Sequence, residues 1–200
     1  MGPPLPKKKL GVVLGRHSAE ATSSLEVFVD FTCPFSKRIY NTLKEVQLLY
    51  RGKVEFIMMP MPQPWHPSSA VVHEAFHAAV MCKPEAEEAL FDLTFETALV
   101  RFADIPSFDK SRSQMHKELA DIYATQGIDK SVFMSNLTLP EGENLNPGVP
   151  ATTNLKLYIK AARQLGMHVT PSIRMNSIAC DSSSSWSVQE WQAFLDPIVL

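Results

Sequence analysis

One cysteine stands where the sequence could give its sulfur a chemical role. Cys33 comes shortly after the mostly apolar run at residues 25–31 (LEVFVDF), and Pro34 follows it directly. A short apolar run is typical of a strand buried inside a sheet. Proline is tolerated at the first position of a helix, because the N–H that it lacks would have no helical partner there. The sequence therefore predicts that Cys33 is the N-cap of a helix that begins at Pro34.

A sulfur at that position lies in a favourable electrostatic field. The first N–H groups of a helix have no partner within it, and the helix dipole places its positive end there. Both effects favour the thiolate, which is the nucleophilic form of cysteine. Ser36 lies three residues later, where we expect its hydroxyl to donate a hydrogen bond to the sulfur. The alternative is that Cys33 is simply a small buried residue, since free cysteine is among the most buried types.

A β-α-β unit is predicted to position this cysteine. Apolar side chains repeat at helical spacing over residues 39–50, and Gly52 is expected to end that helix. Residues 54–59 have the pattern of a second buried strand, and parallel strands need a helical crossover of this kind. Residues 10–14 are expected to form a short edge strand.

The middle of the chain is predicted to be helical. One helix spans residues 68–82, another opens at Pro84, and a capping box at Ser111 and Gln114 opens a third. Asp129 is expected to cap a short fourth helix. After a polar loop, the pattern predicts a helix over 153–165, a strand over 168–175, a turn at 176–177 and a return strand over 178–180. A second capping box at 187–190 precedes a last helix, on which we expect four buried side chains, those of Trp191, Phe194, Leu195 and Ile198.

Two stretches resemble the DsbA-like branch of the thioredoxin-like superfamily. Residues 14–19 (LGRHSA), the following strand and the CPFS sequence at 33–36 resemble the opening of that branch, and Val169-Thr170-Pro171 matches its cis-proline strand. Ser36 replaces the second cysteine of the family's C-x-x-C motif. The resemblance implies an α/β thioredoxin-like fold with an all-helical insertion. The predicted divisions are a flexible tail at 1–9, a core at 10–67 and 150–200, and the insertion at 68–149.

The resemblance also implies roles for residues around Cys33. Cys33 would be the catalytic nucleophile, Ser36 would support its thiolate, and the backbone of Thr170 would pair with an extended substrate. For His66 two interpretations stay open, since it could line a groove near Cys33 or cap a helix. Cys82 and Cys180 are interpreted as structural. The predicted substrate-binding residues are Pro34, Phe35, His66, Thr170 and Pro171.

A second motif suggests different chemistry. Residues 73–77 (HEAFH) match H-E-x-x-H, in which two histidines one helical turn apart bind zinc and the glutamate is a base. No third ligand follows at the spacing of the known families. The alternative is an amphipathic helix with His73 and His77 near the border of its apolar face. We favour that interpretation and expect no metal site.

The leading hypothesis is a monothiol thiol-disulfide oxidoreductase that acts on protein or small-molecule thiols and disulfides. A mixed disulfide at Cys33 would be released by an external thiol such as glutathione, with no tightly bound cofactor. The first alternative is a glutathione transferase or isomerase similar to the kappa class, although that class has serine at the first motif position. The others are a redox-inactive binding or chaperone-like protein, which would use the loop around residues 58–67, and a zinc hydrolase acting through HEAFH.

Composition narrows the remaining classes. A formal net charge of −2 in 200 residues gives no electrostatic case for nucleic acid or an anionic membrane surface, and no stretch is apolar enough to span a bilayer. Three cysteines without close pairing do not make a disulfide framework, so a reducing, cytoplasmic setting is expected. The oligomeric state is left open.

Overall fold

Five strands form one mixed sheet, and the strand that precedes Cys33 lies at its centre. The computed structural model describes residues 5–15 and 21–199. The sheet order is β1-β3-β2-β4-β5, with β2 parallel to β3 and the other neighbours antiparallel. The strands are β1 (Val12–Val13), β2 (Ser23–Val29), β3 (Val54–Pro60), β4 (Ser172–Met175) and β5 (Ile178–Cys180).

The predicted β-α-β unit is confirmed. Helix α1 (Pro34–Leu49) crosses from β2 to the parallel strand β3. The end of β2, Val27–Val29, is buried on both faces, which explains why it reads as a continuous apolar run. Two parts of the predicted pattern lie outside the described residues. They are residues 1–4 of the tail and residues 16–19 of the LGRHSA stretch.

Along the chain, a block of helices separates β3 from β4. The capping box of Ser111 and Gln114 forms as predicted, and Asp129 accepts hydrogen bonds from the N–H groups of Ser131 and Val132. The exact division of the chain at 68–149 stays a prediction, but the mixed architecture confirms the expected fold class. The helices of this block are α2 (Ser69–Cys82), α3 (Glu87–Phe102), α4 (Asp104–Ser107), α5 (Arg112–Ala124) and α6 (Lys130–Ser135), with a 3₁₀ turn at Pro84–Ala86.

The C-terminal part completes the sheet and covers it. Helix α7 (Thr152–Gln164) precedes the β4–β5 hairpin, whose turn residues Asn176 and Ser177 have φ angles of 47° and 72°. These angles suit the tight turn expected there. Helix α8 (Val188–Val199) buries Trp191 and Leu195 as predicted.

Two details of this region differ from expectation. The strand predicted over 168–175 begins only at Ser172, because residues 168–171 form a loop that ends at a proline. Ile198, expected to be buried in the last helix, is 42% exposed. In the part of the chain that the structure describes, no helix is both long enough and apolar enough to cross a membrane.

Candidate active site

Cys33 is the N-cap of α1, as the sequence predicts. Its backbone is extended (φ −91°, ψ 120°), and Pro34 is the first helical residue. The Cys33 N–H donates to the carbonyl of Asp30 at 3.1 Å, and the Cys33 carbonyl accepts from the N–H of Lys37 at 3.1 Å. These two bonds hold the turn between β2 and α1. The cysteine is only 4% exposed, so a reagent must approach it through a narrow opening.

The loop before β4 lies against this sulfur. The thiol of Cys33 donates to the carbonyl oxygen of Thr170, with 3.6 Å between sulfur and oxygen. The peptide bond between Thr170 and Pro171 is cis, as expected for that position. The chain thus brings together two segments that are 137 residues apart in sequence.

Ser36 has a different partner from the one expected. Its buried hydroxyl accepts a hydrogen bond from the Asp30 N–H at 3.1 Å. Among the described residues, no hydrogen bond joins the Ser36 hydroxyl to the sulfur of Cys33, so the expected bond is not formed. Ser36 therefore stabilises the turn that carries the cysteine.

Asp30 is a residue that sequence reasoning missed. Its side chain is completely buried, and one carboxylate oxygen accepts from both the N–H and the hydroxyl of Thr32 at 2.8 Å. The other oxygen accepts from the Gln63 N–H and the Ser69 hydroxyl, also at 2.8 Å. The sequence does show an acidic residue among the apolar residues 27–31, and a buried carboxyl group needs hydrogen-bond partners. Asp30 ties the Cys33 turn to the loop after β3.

Three segments connected to the Cys33 turn carry exposed apolar side chains. Phe35, Trp65 and Val169 are each more than half exposed, although residues of these types are usually buried. Phe35 lies two residues after Cys33, Trp65 lies in the loop after β3, and Val169 directly precedes Thr170. These exposed side chains offer surface that an apolar substrate could cover.

The structure distinguishes the two interpretations of His66. Its side chain lines a groove, together with Trp65 and Met167, and its Nδ1 lies 3.6 Å from a carboxylate oxygen of Asp104. Only its backbone carbonyl takes part in starting α2, by accepting from the N–H of Ser69 at 2.9 Å. The side chain thus belongs to the groove, while its role in substrate binding stays a prediction.

A family profile described as thioredoxin matches residues 7–197 of this chain. The chain belongs to the thioredoxin family. No functionally curated protein matches it.

Solved structures with the fold of this thioredoxin-family protein include a DsbA oxidoreductase. A protein from Pseudomonas syringae, provisionally described as a protein-disulfide isomerase, is 22% identical with a TM-score of 0.71, and the match covers 89% of this chain and 96% of that one. The oxidoreductase DsbA from Xylella fastidiosa is 16% identical with a TM-score of 0.58, and 90% of this chain and 87% of that one are covered.

The comparison with solved structures contradicts the expected cytoplasmic location. A third matching structure is a periplasmic thioredoxin-like protein from Salmonella enterica serovar Typhimurium, 14% identical with a TM-score of 0.55, and the match covers 90% of this chain and 86% of that one. That prediction was wrong because it rested on the three unpaired cysteines. A thioredoxin-fold protein uses an unpaired thiol in its reaction, so free cysteines do not indicate a compartment.

In this thioredoxin-family protein, His73 and His77 of the HEAFH motif are both buried. His73 Nδ1 lies 2.8 Å from the Ser69 carbonyl, and its ring packs against Phe31 at 4.6 Å. His77 stacks on the ring of Tyr158 at 4.9 Å. Burial lowers the pKa of both histidines, that of His77 to about 3, so both are neutral at pH 7. The expectation that they lie at the border of the apolar face is wrong.

Glu74 of the same motif is already engaged. One of its carboxylate oxygens pairs with Arg112, and the other accepts from the Thr152 hydroxyl at 2.6 Å. In residues 5–15 and 21–199 there is no group of three or more side chains placed to hold a metal ion. The contacts of the motif support the interpretation of α2 as a core helix.

The other two cysteines lie in different environments from Cys33. Cys82 accepts a hydrogen bond from the side-chain amide of Asn136 at 3.4 Å, and Cys180 lies in β5 opposite Ile173. Burial raises the pKa of both thiols. All three cysteines are free. The structural role expected for both residues stays a prediction.

Proposed function

We propose that this protein is a monothiol thiol-disulfide oxidoreductase with Cys33 as its nucleophile. The observation that carries the proposal is the position of Cys33, at the N-terminus of α1 and in contact with the Thr170 carbonyl beside the cis peptide bond. The first N–H groups of α1 have no partner within the helix, so the positive end of its dipole lies beside Cys33. The carbonyl of Thr170 can accept a hydrogen bond from an extended substrate that replaces the thiol as its partner.

The reaction has two balanced steps. The Cys33 thiolate attacks one sulfur of a substrate disulfide, forms the mixed disulfide and expels the other substrate sulfur as a thiolate. An external thiolate such as that of glutathione then attacks the substrate sulfur of the mixed disulfide, and Cys33 leaves as a thiolate. Ser36 has no sulfur with which to perform this second step internally. The external thiol is therefore oxidised in each cycle.

Oxidised glutathione provides the direct test. The intact protein should gain one glutathionyl group, as seen by mass spectrometry, and added thiol should remove it. Cys33→Ser should lose the adduct, whereas Cys82→Ser and Cys180→Ser should keep it. Ser36→Cys should release glutathione without added thiol and form an internal disulfide. An unreactive Cys33 would overturn the proposal and favour a binding function that has kept the fold without the chemistry.

A further inference from the structure

A groove opens between the loop after β3 and the end of α7. Its volume is about 460 Å³, within the usual range for a small binding pocket of about 300–1,000 Å³. Most of the side chains that line it are apolar. These include Met61, Trp65, Ala70, Ile159, Ala162 and Met167.

Both walls of the groove are connected to the turn that carries Cys33. On one wall, the Met61 N–H donates to the Val29 carbonyl at 2.7 Å, and the N–H of Gln63 donates to Asp30. On the other wall, residues 167–168 lead directly into Thr170, whose carbonyl contacts the sulfur. Three residues of chain span at most about 10 Å, so the groove begins within about that distance of Thr170.

The polar side chains in the groove favour a negative charge. Arg163, His66 and His168 line it, and no aspartate or glutamate is among its described lining residues. The structure gives Arg163, an exposed residue, no ion pair within the described part of the chain. In the described part of the chain, Asp104 pairs with His66 and with no other side chain of the groove. A carboxylate that enters the groove would therefore meet a free guanidinium group.

We propose that this groove recognises a polypeptide substrate through a bulky apolar side chain two residues from its reacting cysteine, followed by a carboxylate. This inference rests on the proposed function of Cys33. An extended peptide advances about 3.3 Å per residue, so positions two and three residues from its cysteine lie about 7 and 10 Å away. Both distances are compatible with a groove that begins within about 10 Å of Thr170. The apolar walls would bury the side chain, and Arg163 would pair with the carboxylate.

Synthetic peptides joined to a coloured thiol test the inference. Each peptide contains one cysteine in a mixed disulfide with 2-nitro-5-thiobenzoate, which is released when Cys33 attacks the peptide sulfur. One peptide carries tryptophan at the second position and glutamate at the third on both sides of the cysteine. The others replace tryptophan with alanine, or glutamate with lysine. Glutathione with the same leaving group serves as a small reference substrate.

Wild-type protein should react at least 10-fold faster with the tryptophan–glutamate peptide than with the alanine peptide. Ala70→Trp should remove most of that preference, because the exposed Ala70 side chain lines the groove. Arg163→Glu should remove the preference for glutamate over lysine. The matched controls are Ala193→Trp, at an exposed position on α8, and Lys156→Glu, at an exposed position elsewhere on α7. Both controls should behave like wild type.

The reference substrate separates the two levels of failure. Equal rates with all peptides, together with normal reaction of the glutathione reagent, would overturn the groove inference and leave the proposed function intact. A parallel loss of the glutathione rate in Ala70→Trp would also overturn it, because the groove would then bind the small thiol. No reaction of Cys33 with any reagent would overturn the proposed function and the inference with it.

Discussion

At the scale of single residues, Asp30 connects the turn that carries Cys33 to the loop after β3. Its backbone N–H donates to Ser36, its carbonyl accepts from the Cys33 N–H, and its carboxylate binds Thr32 and the loop residues Gln63 and Ser69. A carboxylate has acceptor capacity only, which suits a position where every neighbouring group is a donor. The geometry of the turn thus depends on a buried side chain that has no role in the proposed reaction.

Asp30→Asn should lower the free energy of unfolding by about 3 kcal/mol, because the amide NH₂ would face two donors and leave them unpaired. Urea unfolding followed by circular dichroism measures this change. Asp129→Asn is the matched control, since Asp129 is an exposed N-cap and asparagine caps a helix about as well. Equal losses in the two variants would contradict the assigned importance of the buried carboxylate.

Residue-scale features differ in how far the sequence reveals them. The N-cap position of Cys33 could be predicted because it depends on its own neighbours, an apolar strand before it and Pro34 after it. The partner of Ser36 could not. Its hydroxyl is within reach of both the sulfur and the Asp30 N–H by spacing alone, and the fold of the turn decides between them.

At the scale of elements, α2 shows why a helical pattern can mislead. The prediction placed His73 and His77 at the edge of an apolar face. However, α2 packs against α3, α5 and α7, so almost its whole circumference is buried. A helix enclosed in this way has no polar face, and its polar residues must find partners inside the protein. Periodicity could therefore locate the helix but not its surroundings.

The burial of α2 makes stability depend on pH. The folded state keeps His77 neutral with a pKa of about 3, whereas in the unfolded chain the ordinary value is about 6.5. Below about pH 6.5 the unfolded state therefore binds one more proton at this residue. Folding loses about 1.4 kcal/mol per pH unit from this group as the pH falls from about 6.5 toward 3.

His77→Phe should reduce that dependence, because phenylalanine can keep the stacking on Tyr158 and does not titrate. Urea unfolding at pH 7, 6, 5 and 4.5 gives the slope for each protein. The variant should have a slope smaller by about 1.4 kcal/mol per pH unit over the lower part of this range. An identical slope would show that His77 is protonated in the folded state or is not buried.

At the scale of the whole molecule, the helical block and the sheet share one core. Phe31, two residues after the end of β2, lies within 5.1 Å of the rings of Phe76, Phe91 and Phe95. It is completely buried. A residue of the turn between β2 and α1 thus packs into the helical block, two residues before Cys33. This arrangement predicts that the sheet and the block unfold together.

Phe31→Ala should lower the free energy of unfolding by about 4 kcal/mol, since it removes a ring from the centre of this cluster and leaves a cavity. Phe35→Ala is the matched control. Phe35 is 52% exposed, so its truncation should change stability by less than about 1 kcal/mol.

Two signals test whether the loss spreads through the molecule. Fluorescence of Trp191, which is buried in α8, and of Trp186, whose ring lies 5.0 Å from that of Trp191, reports on the core. Circular dichroism at 222 nm reports mainly on the helices. Both signals of Phe31→Ala should shift together to the same lower urea midpoint. A circular dichroism transition that separates from the fluorescence transition would mean that the helical block unfolds independently. The sheet would then hold the Cys33 turn without it.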